Sequence, residues 1–138
     1  MLRLWTLLVL FLALAGCSRQ DYPGARRYPL SGKVTVDGQP LDWGSISFLP
    51  ASSEQRVSGD LIQDGSYSVS EEKGANAGKY KVEIRWNKKT GNKRRDPDSG
   101  EMYDERKEGL PPRYHANSEL AAEVSAKETT FDFDLKSK

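Results

Sequence analysis

The sequence predicts an all-β fold, an antiparallel sandwich of short strands behind an apolar leader. Three observations carry this. Apolar and polar residues alternate with period two in one short segment after another, as half-buried strands require. Asp37-Gly38 and Asp64-Gly65 punctuate those segments, and glycine takes the positive φ of a tight turn without steric cost. After the leader no stretch of eleven residues keeps a helical period, although Ser118 to Lys127 has the composition of one short helix. A chain of 138 residues holds one ordinary domain, and six or seven short strands suit a single antiparallel sandwich.

The leader comes first. Met1-Leu2-Arg3 is a short basic start, and Leu4 to Leu14 is an apolar run too short for a membrane span, which needs about 20 residues. It matches the central region of a secretory signal. The run closes on Leu14-Ala15-Gly16-Cys17 and turns polar at once with Ser18-Arg19-Gln20-Asp21. This resembles the bacterial lipoprotein signal, or lipobox. The resemblance implies that Leu14, Ala15 and Gly16 are the recognition residues and that residues 1–16 are removed. It also implies that Cys17 carries lipid on its thiol, often with a further acyl chain on the new amino group. Two or three acyl chains are enough for a stable anchor, each buried methylene contributing about 0.8 kcal/mol. Once Arg3 is removed, the chain from Cys17 carries equal numbers of basic and acidic residues. Ser18 following Cys17 fits outer-membrane sorting by analogy with enteric bacteria. Residues 17–27 are polar, contain Pro23 and Gly24, and read as a flexible tether to a domain over 28–137.

The strands follow in order. Leu30, Val34 and Val36 share one face, with Lys33 and Thr35 on the other, up to Asp37-Gly38. Ile46 and Phe48 form the inward set of the next strand, stopped by Pro50. Val57 and Leu61 mark a third, closed by Asp64-Gly65, and Tyr67 and Val69 a fourth. The fifth is the clearest: Tyr80, Val82, Ile84 and Trp86 against Lys79, Lys81, Glu83 and Arg85. Leu120, Ala122 and Val124 form a weaker sixth. The last runs from Thr129 to Leu135 with Phe131, Phe133 and Leu135 inward, Asp132 and Asp134 outward. Between Trp86 and Leu110 the alternation stops, so about 87–110 reads as a long charged insertion loop. Its cations (Lys88, Lys89, Lys93, Arg94, Arg95) precede its acids (Asp96, Asp98, Glu101, Asp104, Glu105), which makes it self-neutralising.

A family resemblance rests on Ser31-Gly32-Lys33-Val34-Thr35-Val36-Asp37-Gly38-Gln39-Pro40-Leu41, Asp64-Gly65-Ser66-Tyr67, Gly78-Lys79-Tyr80-Lys81-Val82, Leu110-Pro111-Pro112-Arg113-Tyr114 and Phe131-Asp132-Phe133-Asp134-Leu135. These pieces resemble small bacterial lipoproteins abundant in planctomycetes, over essentially all of residues 28–136. The resemblance implies a seven-stranded Greek-key sandwich, transthyretin-like or immunoglobulin-like, related to the regulatory domain of metallocarboxypeptidases. It implies no catalytic residues, and Trp43 departs from the smaller residue common in relatives.

Composition excludes several chemistries. A net charge of +1 supplies no field for nucleic acid. One His and one Cys cannot build a Cys/His zinc site or a disulfide framework. No nucleophile elbow, His-Glu-x-x-His pair or phosphate loop is present. His115 reads as a surface or packed side chain, and the acids at 96–105 lack the spacing of a calcium loop. Catalytic, metal and cofactor residues are therefore expected to be none. Trp86 is in phase with the core, whereas Trp43 beside a turn is the candidate ligand contact. The expectation is a non-enzymatic, lipid-anchored envelope module with an envelope protein or glycan as further partner. The alternatives are a carbohydrate- or peptide-binding module using Trp43 or a sheet edge and, remotely, a hydrolase.

Overall fold

The computed structural model describes residues 25–138; Leu14, Ala15, Gly16 and Cys17 lie outside the described residues. The strands are β1 (Arg27–Tyr28), β2 (Leu30–Val36), β3 (Gln39–Pro40), β4 (Trp43–Pro50), β5 (Ser58–Gln63), β6 (Ser66–Val69), β7 (Ala75–Asn76), β8 (Gly78–Arg95), β9 (Met102–Glu108), β10 (Ala121–Val124) and β11 (Phe133–Leu135). Helical turns among the described residues are two short 3₁₀ segments, Glu71–Lys73 and Pro112–Tyr114. The helix compatible with Ser118 to Lys127 does not form. Pairing with β8 makes Ala121–Val124 a strand, because Ala122 and Val124 can then both reach the core.

The main sheet runs β10-β8-β4-β5-β6-β2-β11, with β9 beside β8 and β3 beside β2, while β1 and β7 form a separate pair. All pairings are antiparallel except β11 with β2. That parallel pair corrects the expectation of a wholly antiparallel arrangement. The chain reaches β11 by crossing over from β10 at the far end of the sheet, and such a connection, unlike a hairpin, does not impose antiparallel order.

Both Asp-Gly pairs act as expected. Asp37 and Gly38 have φ of 52° and 80°, Asp64 and Gly65 of 51° and 79°, the two positive values of a type I′ hairpin turn. At Asp64-Gly65 only Gln63 and Ser66 pair before β5 and β6 part. The sheet therefore folds over at this hairpin and sets β6-β2-β11 across from β10-β8-β4-β5 in a sandwich-like arrangement.

The core lies between these layers. Leu30, Val34, Tyr67, Val69 and Leu135 meet Ile46, Phe48, Ile62, Tyr80, Val82, Ile84 and Val124, all buried. Phe48 is central, with ring centroids 6.0 Å from Tyr67, 6.4 Å from Tyr80 and 6.1 Å from Phe131. The buried phenols keep their polar ends satisfied: Tyr67 donates to the Phe131 carbonyl at 2.8 Å and Tyr80 to the Asn76 carbonyl at 3.1 Å. Burial pushes both phenols up from their ordinary value.

Two further expectations are corrected. Val57 and Leu61 do not mark the inner face of β5: they are 62% and 46% exposed, while Ser58 and Ile62 are buried. A two-residue turn that pairs Gln63 with Ser66 places Ile62 on the face of Tyr67, and a one-residue slip exchanges every inward and outward side chain. The segment 87–110 is not a structureless loop. β8 continues to Arg95 and pairs with β9 as a two-stranded arm, with a register shift between Lys89 and Lys93. Across the ribbon Lys89 and Lys93 pair with Asp104 and Arg94 pairs with Glu105, while Asp96, Asp98 and Glu101 lie in the turn that joins the two strands. Near the N-terminus, Asn76 donates to the carbonyls of Ala25 and Arg26 at 2.8 and 3.2 Å, so the chain is bound to the domain from Ala25 onward.

The two turns give a differential prediction. A Cβ at Gly65 would lie 2.5 Å from Pro40 Cβ, whereas one at Gly38 meets nothing within 4 Å. Gly38→Ala should lose about 1 kcal/mol from left-handed strain alone. Gly65→Ala should lose more, roughly 2–4 kcal/mol, from strain and overpacking together. Urea unfolding of the two variants checks the order.

Candidate functional site

Register decides where each candidate side chain goes. Directly opposed residues share a face, and Gly44 opposes Trp86 while Ile46 opposes the buried Ile84. Trp86 therefore lies on the inner side of the layer, at its end. It is half-buried and packs against the core. Its Nε1 donates to Asp42 Oδ1 at 2.6 Å, and Lys88 Nζ stands 4.9 Å from its ring centroid. Trp43 opposes Gln63 on the other face of the same layer and is only partly covered. The two tryptophans point to opposite sides of one sheet and do not form a common stacking platform.

His115 is 8% exposed, with Nε2 3.2 Å from the Leu110 carbonyl and Nδ1 buried without a hydrogen-bond partner. It packs beneath the Leu110–Ser118 segment and meets no pair of carboxylates. Among the described residues, no group of three or more His, Cys, Asp or Glu side chains could hold a metal ion. The acids of the arm are engaged locally. Asp96 Oδ1 accepts from the amides of Asp98 and Ser99 at 2.9 and 2.8 Å and shapes the arm's turn. Asp104 pairs with Lys89 at 2.7 Å and Lys93 at 3.7 Å. Glu105 accepts from Thr90 Oγ1 at 2.8 Å, from Asn92 Nδ2 at 3.1 Å and from Arg94 Nε.

A recess lies over β4 and β5. It is a shallow, open groove of about 580 Å³ lined by Ser45, Ser47, Val57, Leu61, Arg27 and Lys73, with Asp60 and backbone between them. Its construction is local. Ser45 opposes Leu61 and Ser47 opposes Gly59, so small side chains on β4 make a floor that Leu61 and Val57 overhang. Ser58 Oγ donates to the Lys73 carbonyl at 2.8 Å and fastens the 3₁₀ turn to β5, while Arg27 donates to the Glu72 carbonyl. These bonds bring two cations to one end of the groove. Trp43 stands two residues along β4 from Ser45 on the same face.

Of the sequence candidates, only Trp43 lies beside this groove. In the sequence Val57 and Leu61 read as the inward residues of β5 and Arg27 as part of the tether, and nothing marks Lys73. The signal was present in Asp64-Gly65, since counting back from that turn with Tyr67 inward turns Leu61 outward. No protein-family model, curated protein or solved structure matches the chain.

The arm gives a pH prediction. Hydrogen bonds from Thr90, Asn92 and Arg94 hold the Glu105 carboxyl at about 2, below its ordinary 4.5. A depressed value means that Glu105 stabilises the arm fully above the ordinary value and ceases to do so as pH falls toward the depressed one. A carboxyl-carbon NMR titration should place the Glu105 midpoint well below those of other glutamates. Glu105→Gln should speed amide exchange in 88–95 and leave the core strands unchanged.

Proposed function

We propose that the protein is a lipid-anchored component of the bacterial cell envelope whose β domain serves as a non-catalytic structural or binding module. The observation that carries this is the position of the chain's one cysteine. It closes an apolar leader directly after Leu14-Ala15-Gly16 and stands eight residues before Ala25, the first residue the structure describes. A secreted domain has no other evident use for a lone thiol at that place. On this reading residues 1–16 are the cleaved signal, Cys17 bears the lipid, and the membrane is the first partner, at the outer membrane or the periplasmic face.

The finer fold assignment belongs to the same proposal: a seven-stranded Greek-key, transthyretin-like sandwich of the carboxypeptidase-regulatory kind, in a small planctomycete-type lipoprotein. The seven strands of the main path support it. The non-enzymatic reading is supported by what the polar candidates do, for His115 Nε2 lies against the Leu110 carbonyl and Asp104 and Glu105 are tied to cations of the arm. Nucleic acid has no part in the reading. A glycan partner would rest on Trp43 alone, because Trp86 faces the other way.

The test is intact mass of the membrane-extracted protein beside Cys17→Ala. The reading expects a chain starting at Cys17 and heavier by two or three acyl chains, with the addition lost in the variant. An unmodified chain cut elsewhere and recovered in the soluble fraction would overturn it.

A further inference from the structure

The two outer faces of the sandwich differ in kind. On the β6-β2-β11 side the outward residues are Ser66 and Ser68, Ser31, Lys33 and Thr35, and Asp134, all hydroxylic or charged. On the β10-β8-β4-β5 side Trp43, Ser45, Ser47 and Leu49 run down β4, Leu61 and Val57 stand beside them, and Lys79, Lys81 and Arg85 line β8. Val57 and Leu61 are two of the four exposed large hydrophobic residues among those described, and Met102 and Tyr103 on the arm are the others. Arg27 and Lys73 close one end of the groove on this face. Its acids are Glu83, which pairs with Lys81 at 3.0 Å, Glu108, which pairs with Arg85 at 3.5 Å, Glu123 opposite Lys79, and Asp60, whose Oδ1 accepts from the Leu61 amide at 2.8 Å. Five cations therefore stand against four acids, and setting aside the Lys81–Glu83 and Arg85–Glu108 pairs leaves three cations against two acids, on a chain that is neutral from Cys17 onward.

Reach and chemistry favour the same occupant. The eight residue steps from Cys17 to Ala25 extend at most about 28 Å, and Arg27 beside that attachment lines the groove. Exposed apolar side chains flanked by Lys and Arg suit the boundary between headgroups and acyl chains, where apolar stems are buried and charged ends meet phosphate. A tether raises the effective concentration of such a face over the bilayer, so a contact too weak to bind alone is populated once the chain is anchored.

We propose that the outer face of the β10-β8-β4-β5 layer rests on the membrane that anchors the chain. Trp43, Val57 and Leu61 sit at the headgroup boundary, and Arg27, Lys73, Lys79, Lys81 and Arg85 face lipid phosphates. The polar β6-β2-β11 face then looks away from the bilayer. This rests on the lipid-anchor reading and adds the orientation of the domain.

The experiment imposes the tether chemically. In the chain from Cys17 to Lys138, which contains every described residue, the one thiol is coupled to maleimide lipid in phosphatidylethanolamine–phosphatidylglycerol vesicles carrying brominated acyl chains. Trp43 and Trp86 are the only tryptophans in that chain. Bromination should lower the Trp43 component of emission roughly twofold, as expected of a ring at the interface. Trp43→Phe should remove the quenching, and Val57→Asp with Leu61→Asp should restore most of the emission while leaving thermal unfolding unchanged. Emission indifferent to bromination in vesicle-bound protein would overturn the proposal, as would quenching that survives Trp43→Phe. Because coupling does not depend on cellular processing, an unacylated Cys17 in the intact-mass measurement is a separate result. It would remove the natural tether and overturn the orientation's biological premise even if the face binds lipid.

Discussion

The arrangement of the whole domain depends on the register set by Asp64-Gly65. Two consecutive residues with positive φ close the hairpin in the fewest residues a hairpin allows. That pairs Gln63 with Ser66 and leaves β5 and β6 free to part immediately, so that one continuous sheet becomes two facing layers. The same turn puts Ile62 and Tyr67 in the interior together. Tyr67 then packs beside Phe48, and its hydroxyl holds the backbone of Phe131 as the chain approaches β11. Leu61, the neighbour of Ile62, is left outside by the same geometry. The exposed apolar face is thus a consequence of how the core is registered.

Most of the inner face was legible in the sequence. In β2, β4, β6 and β8 an alternating apolar set (Leu30, Val34 and Val36; Ile46 and Phe48; Tyr67 and Val69; Tyr80, Val82, Ile84 and Trp86) reaches the core or its margin. β5 was harder to read, because Leu61 and Ile62 are adjacent and only one of them can face inward. Local alternation does not choose between them, whereas the turn does. The arm was illegible for a different reason. A ribbon with solvent on both sides has no hydrophobic period to detect, and its pairing is held by cross-strand ions such as Lys89 with Asp104 and Arg94 with Glu105. The parallel pairing of β11 was hidden as well, since it depends on where the crossover from β10 lands.

For the functional site the sequence indicated Trp43 but not the groove beside it. Arg27, Lys73 and Leu61 come from three separate elements, and no spacing rule links them. Their proximity follows from hydrogen bonds such as Ser58 to the Lys73 carbonyl. Several polar residues bond within their own neighbourhood: His115 Nε2 with the Leu110 carbonyl, Asp96 in a turn, Glu105 at a bulge. What distinguishes the molecule is an asymmetry between its two outer faces, with Arg27, close to the first described residue, lining the groove on one of them.

Spin-label depth on the membrane-extracted protein tests this account most directly, with the label placed in turn at Leu61 and at Ser68, one on each outer face. The account predicts that in vesicles the Leu61 label is shielded from a water-soluble relaxation agent and reached by oxygen in the lipid, while the Ser68 label stays fully accessible from water. Equal aqueous access at both positions, or shielding at Ser68 alone, would contradict it.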